Sequence, residues 1–260
     1  MTKKSPSITN KIPVLIAGTV LILLWQLART TGLAPAYMLP SPIDVVRAFW
    51  SERALLWENA LVTLQEGFIG LGLGVLLGFV FATVMDAVPA LRRAVYPILV
   101  LTQTVPTVAI APLLVLWFGY GLLPKIILIV ITTFFPVTVG LMDGFAAADP
   151  DAVNLLRSMG AGRWQIFRYI KFPGALTSFF SGLRIAAAYC VVGAVISEWL
   201  GGFSGLGVYM TRVKKAFAFD KMFAVIFLIS GVSLALMALV DLTRRLCMPW
   251  LRSQEHAPKS

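Results

Sequence analysis

A chain of 260 residues with 58% hydrophobic and 13% charged residues carries more apolar side chain than a soluble fold of that size can hide, since soluble chains hold roughly 45–50% and about 25%. Its net charge of +10 does not point to nucleic acid, because the lysines and arginines sit in short clusters between apolar runs, as loop charges of a membrane protein do. Two cysteines, Cys190 and Cys247, and one histidine, His256, exclude a disulfide framework and a metal centre with ordinary ligand spacing, and both cysteines read as small packing residues.

Apolar runs near twenty residues long predict an all-α polytopic membrane protein with about six transmembrane helices. Residues 1–11 form a basic tail with Lys3, Lys4 and Lys11, followed by a first span over about 12–28. A signal peptide shares the basic start, but Ala28-Arg29-Thr30 is the best cleavage pattern available and a retained anchor fits better. Ser41 then caps a short helix with Pro42 at its first position, and Val45, Val46 and Phe49 on one face predict a helix lying at the membrane surface. In the second span, about 64–85, Gly70, Gly74 and Gly78 recur every fourth residue and offer a smooth stripe for close helix packing. A phosphate loop does not fit those glycines, which lie inside an apolar helix with no following Lys-Ser/Thr.

The third span, about 95–118, holds Pro97, Pro106 and Pro112, and the fourth, about 122–145, holds Pro124 and Pro136. Interior prolines kink helices and free carbonyls, which suits helices that line a cavity and equally suits kinks used for packing. The fifth span covers about 175–199, followed by GGFSGLG at 201–207, and the sixth about 222–246. The two halves show no convincing repeat, which weighs against an inverted-repeat secondary transporter. With the N-terminus inside, thirteen lysines and arginines fall in inside segments and eight outside, with Arg184 in the fifth span. That bias predicts both termini, including the polar tail 251–260, in the cytoplasm.

Residues 149–173 are a polar, basic island between spans four and five. Asp149 caps a short helix with Pro150 first and Asp151 in its first turn, and Val153, Leu155 and Leu156 give it an apolar side. Gly160 fits the left-handed end of that helix, and Trp164, Phe167 and Ile170 lead a second helical run to Pro173. Measured from Asn154, Gly160, Ile170 and Pro173 follow at +6, +16 and +19. This spacing resembles the EAA loop of bacterial ABC importer permeases, with Asn154-Leu155-Leu156 standing for Glu-Ala-Ala and Phe172 for the usual leucine before the proline. TQTVPTVAIAPLLVLWFGYG at 102–121, Phe135-Pro136, Asp143-Gly144, GLRIA at 182–186 and AVISEWLGGFSGLGVYM at 194–210 resemble the nitrate/sulfonate/taurine branch of that family, over roughly residues 40–250.

The resemblance implies a permease domain over 12–250, in a bacterial cytoplasmic membrane, whose coupling loop docks an ATPase through Asn154, Leu155, Leu156, Gly160, Ala161, Arg163, Ile170 and Pro173. It implies two ATPase copies, a second permease copy, an extracytoplasmic binding protein and membrane lipid as partners. No cofactor is expected in this chain, which has no P-loop; ATP and Mg belong to the ATPase. The wording of 194–210 is most similar to permeases for hydroxymethylpyrimidine, a thiamine precursor, with nitrate, alkanesulfonate, taurine or riboflavin as the other substrates of the branch. The rival is a transporter driven by an ion gradient, which would need acidic groups near the bilayer midplane.

For the pathway the candidates are Gln103, Thr104, Pro106 and Glu198. Gln103 and Thr104 either serve a gate or satisfy a kinked backbone, and Glu198 either faces the pathway or is solvated at the interface beside an anchoring Trp199. Arg184 is expected to snorkel to the cytoplasmic surface, and Glu66 and Asp86, bracketing the second span, need no special role.

Overall fold

A computed structural model of the chain describes residues 12–32, 35 and 38–249. The tails at 1–11 and 251–260, with His256, lie outside the described residues. All regular structure among those described is helical: α1 (Ile12–Thr30), α2 (Pro42–Ser51), α3 (Arg53–Ala87), α4 (Pro89–Thr102), α5 (Thr107–Phe118), α6 (Leu122–Ala146), α7 (Pro150–Ser158), α8 (Arg163–Ile166), a π-turn at Phe167–Lys171, α9 (Phe172–Gly201), α10 (Leu206–Lys215) and α11 (Phe219–Cys247).

Four helical stretches are long and apolar enough to cross a bilayer: α3, α6, the run Arg163–Gly201, and α11. The expected third span is no single helix. α4 and α5 meet at a 97° bend, where Pro106 takes an extended backbone, φ −61° and ψ 121°, and brings no N–H to continue the α4 ladder. Counted as one span, the bent pair makes a fifth. The first expected span corresponds to α1, whose described apolar stretch, Ile16–Thr30, is shorter than the ~20 residues a crossing needs. Six spans are therefore not reached on length and composition.

The chain divides into two compact units, Met1–Glu58 with Tyr209–Leu228, and Asn59–Val208 with Ile229–Ser260. In the first, Trp25 lies 5.9 Å from Phe227 and 5.8 Å from Phe223, ring centre to centre, and donates its indole N–H to the Pro40 carbonyl at 3.0 Å. α2 starts with a capping box between Ser41 and Asp44 and buries Val45 and Ala48. Val46 and Phe49 are exposed, so the buried face of α2 is Val45 with Ala48 and not the expected Val45, Val46 and Phe49. Lys221 pairs with Glu52.

In the second unit α6 meets both α3 and α9 through small residues. A Cβ on Gly70 would stand 2.6 Å from Ile129 Cβ, one on Gly74 3.1 Å from Thr133 Cβ, and one on Gly78 2.9 Å from Val137 Cγ1. Three glycines at four-residue spacing thus oppose three α6 residues at the same spacing. Elsewhere on α6, Gly140 and Gly144 abut the backbones of Ser178 and Ala175 in α9. Helices in lipid associate largely by such close van der Waals contact. Around this seam Met85, Val137, Leu141, Phe145 and Ala175 are buried together, as are Ile129, Cys190, Val191 and Ala194. Cys190 is the packing residue expected, whereas Cys247 is exposed. Arg184 pairs with Asp241 of α11 at 3.6 Å instead of only reaching for the surface.

Candidate functional site: a docking segment, a buried polar cap and a membrane cavity

The segment 149–173 is built by local chemistry. Asp149 Oδ1 accepts the Asp151 amide at 3.0 Å, and Pro150 opens α7. Gly160 takes φ +84°, the left-handed turn that ends a helix at low cost only for glycine. The Ala161 amide reaches back to Leu156 O at 2.9 Å. Gln165 then caps α8, its Oε1 accepting the Gly162 amide at 2.7 Å. α7 splits its apolar side: Val153 and Leu156 are half-buried, while Leu155 is 63% and Trp164, beyond the glycine, 67% exposed. Asn154, Gly160, Arg163 and Pro173 are also exposed, and Ala161 and Ile170 half-buried.

The second helical run does not stop at Pro173. The Phe172 amide bonds Phe167 O, the wider repeat of a π-turn, which absorbs the change and lets the helix run on as α9 with Pro173 in its first turn. The whole stretch Arg163–Gly201 is 39 residues, about 58 Å at ~1.5 Å per residue. Lys171 Nζ clasps both oxygens of Asp86 at 2.7 and 2.8 Å, tying the π-turn to the end of α3. Phe79, Trp164, Phe167 and Phe172, with Arg168, wall a cleft of about 370 Å³ beside it.

The other end of α9 carries a buried polar cap. Glu198 is 1% exposed, so the solvated interfacial position is excluded. Its Oε1 accepts the Thr63 hydroxyl at 2.7 Å and its Oε2 the Gly207 amide at 2.6 Å. Thr63 Oγ1 in turn accepts the Leu206 amide at 2.9 Å, and Asn59 Oδ1 the Gly205 amide at 2.9 Å. Three successive amides opening α10 are satisfied by side chains of α3 and α9. One turn along α3, Glu66 Oε1 takes the Lys125 ammonium at 2.6 Å, both side chains 7% exposed. Sequence reasoning passed over Asn59, Thr63, Glu66, Lys125 and the Asp86–Lys171 pair. Asn59 and Thr63 carried no signal, and the charged residues only that of charge at the margins of apolar runs, where solvation is the simpler reading.

Between these ends, α6 and α9 leave an open cavity of about 500 Å³, whose walls include Gln103, Phe135, Asp143, Ser178, Ser181 and Tyr189. Gln103 follows α4 directly at the break before α5. Thr104 and Pro106 are exposed there but form no part of the walls. The Thr104 hydroxyl donates to Leu101 O at 2.8 Å and so serves the interrupted backbone.

The sequence matches, over residues 74–252, the family model described as "binding-protein-dependent transport system inner membrane component". It is 38% identical to a probable ABC transporter permease protein of Haemophilus influenzae, over 88% of this chain and 93% of that one. It is 37% identical to the formylaminopyrimidine transport permease protein ThiX of Halalkalibacterium halodurans, over 90% and 94%. Among solved structures, an inward-facing conformation of the MetNI methionine ABC transporter shares the fold, with a TM-score of 0.65 at 18% identity over 75% of this chain and 97% of that one. A membrane-spanning helical chain matched along most of its length by such relatives is an integral membrane permease, with ATP hydrolysis on a separate subunit, and it belongs to the family of binding-protein-dependent transport system inner membrane components, in the nitrate/sulfonate/taurine branch of ABC importer permeases.

Proposed function

We propose that two copies of this chain surround one pathway for a thiamine-precursor pyrimidine, that a pair of ATPases seats on α7 and α8 from the cytoplasm, and that an extracytoplasmic binding protein delivers the solute. Both chain termini lie in the cytoplasm in this reading. The observation that carries it is the pairing of Leu155 with Trp164 on either side of Gly160: two large apolar side chains held out of the core by well-capped helices. Apolar groups presented in that way on a basic segment fit a protein partner better than water. Closure of the ATPases would push on α7 and, through the continuous run Arg163–Gly201, on the far end of the pathway. The substrate assignment is supported by the 37% identity to a formylaminopyrimidine permease.

Pull-down of the co-expressed ATPase from detergent-solubilised membranes tests the docking. Wild type should retain it, and Gly160→Trp, which forces a bulky side chain into a left-handed turn, should lose it while still inserting. Retention at wild-type level by the variant would sink the docking role. Uptake of hydroxymethylpyrimidine should persist when ion gradients are collapsed; its loss under those conditions would favour the gradient-driven alternative.

A further inference from the structure

The cavity between α6 and α9 has a one-sided chemistry. Asp143 is the only ionisable acid in its walls, and no lysine, arginine or histidine lines it among the described residues. The remaining polar groups are uncharged: the Gln103 amide and the hydroxyls of Ser178, Ser181 and Tyr189. Ser181 already donates its proton to Thr177 O at 3.0 Å, so its oxygen is left to accept. Donors and acceptors therefore both face the cavity, with the Phe135 and Tyr189 rings beside them. The volume, about 500 Å³, lies in the range of small-molecule sites, roughly 300–1,000 Å³.

We propose that this cavity is a solute subsite in the permease itself, that it takes uncharged or cationic nitrogen heterocycles, and that Asp143 receives their N–H donors. An amino-substituted heterocycle offers N–H donors to Asp143 and Ser181 and ring nitrogens to Gln103, Ser178 and Tyr189, while its flat face suits the aromatic rings. A sulfonate or nitrate finds no cation in these walls. Selectivity would then reside in the permease as well as in the binding protein. This inference rests on reading the chain as half of an importer pathway.

The test uses the complex of permease and ATPase in lipid nanodiscs, without binding protein, and equilibrium dialysis against radiolabelled hydroxymethylpyrimidine or methanesulfonate. Wild type should retain the pyrimidine in clear preference to the sulfonate. Asp143→Asn should weaken pyrimidine retention about tenfold, the loss of a charge-assisted hydrogen bond, and Asp143→Lys should invert the preference. Equal retention of both solutes by wild type, retention of neither, or an unchanged ratio in the variants overturns the proposal. Should Asp143→Lys fail to insert, the asparagine variant decides alone. ATPase content is scored in the same preparation: a wild-type sample lacking it sinks the importer reading, whereas a complete complex with no selective retention sinks only the subsite.

Discussion

α7 and α10 begin under opposite rules. α7 is capped from within: Asp149 accepts an amide two residues ahead, Pro150 needs no partner, and the helix stays at the surface. α10 is capped from without: the amides of Gly205, Leu206 and Gly207 are taken by Asn59, Thr63 and Glu198, on two other helices, in a buried layer. A self-capped helix can shift as a piece, because its bonds travel with it. An externally capped one is fixed to the elements that cap it. α7 thus carries its own cap with it, whereas the Glu198 end of α9 holds its neighbours in register.

Removing the external cap should have the largest effect. Glu198→Ala removes the carboxylate that accepts the Thr63 hydroxyl and the Gly207 amide and leaves that hydroxyl only the longer bond to Asn59 O at 3.2 Å, at ~1–3 kcal/mol for each buried bond lost. A loss of about 3 kcal/mol should show as a lower thermal midpoint of the detergent-solubilised protein, with Glu198→Gln roughly halfway. A midpoint unchanged by the alanine variant would mean that water replaces the carboxylate and that the cap is not structural.

The same contrast appears in two glycines with positive φ. Gly205, φ +117°, has the Glu198 carboxylate where a side chain would go, with Oε2 2.6 Å from a built Cβ; Gly160, φ +84°, has nothing within 4 Å. Gly205→Ala combines strain with displacement of the cap and should cost about 3 kcal/mol, whereas Gly160→Ala carries strain alone, about 1 kcal/mol. Thermal midpoints measured side by side check the difference, and equal shifts would erase the distinction between the two turns. Asp149→Ala belongs with the smaller group, at about 1 kcal/mol for a lost N-cap.

Legibility follows the same division. Asp149, Pro150 and Gly160 were readable because each acts on residues a few positions away, and the spacing to Ile170 and Pro173 lies within a single segment. The glycine stripe on α3 was readable as a close-packing surface, but not its partners Ile129, Thr133 and Val137, which are 59 residues further along the chain in each case. Glu198 and Thr63 stand 135 residues apart, and nothing in either neighbourhood announces the bond. Pro106 marked a disturbance of the third span, but a proline fixes only its own φ and removes one donor; the 97° turn depends on what packs around it. The readings of Glu66 and Asp86 as unremarkable failed for a related reason: a charge at the margin of an apolar run looks solvated until a lysine from another helix is placed against it.

The smallest effect concerns a second self-capped helix and tests whether local capping is as independent as the comparison requires. In α2 the Ser41 hydroxyl and amide both bond Asp44 Oδ2, at 2.7 and 3.2 Å. The side-chain bond from Ser41 first, and then its amide, hold the Asp44 carboxyl below its ordinary value of 3.8. A depressed folded value means that the carboxylate contributes stability in full above the unfolded value and loses it as pH falls through the folded one. Protection of the Ser41 amide against hydrogen exchange, corrected for intrinsic rate, should therefore stay level from neutral pH down to about 3.8 and decline only below it, and in Asp44→Asn it should be lower and flat throughout. A decline that begins well above 3.8 would mean that Asp44 is not held by its own cap, and that even the short-range half of the comparison depends on groups elsewhere in the fold.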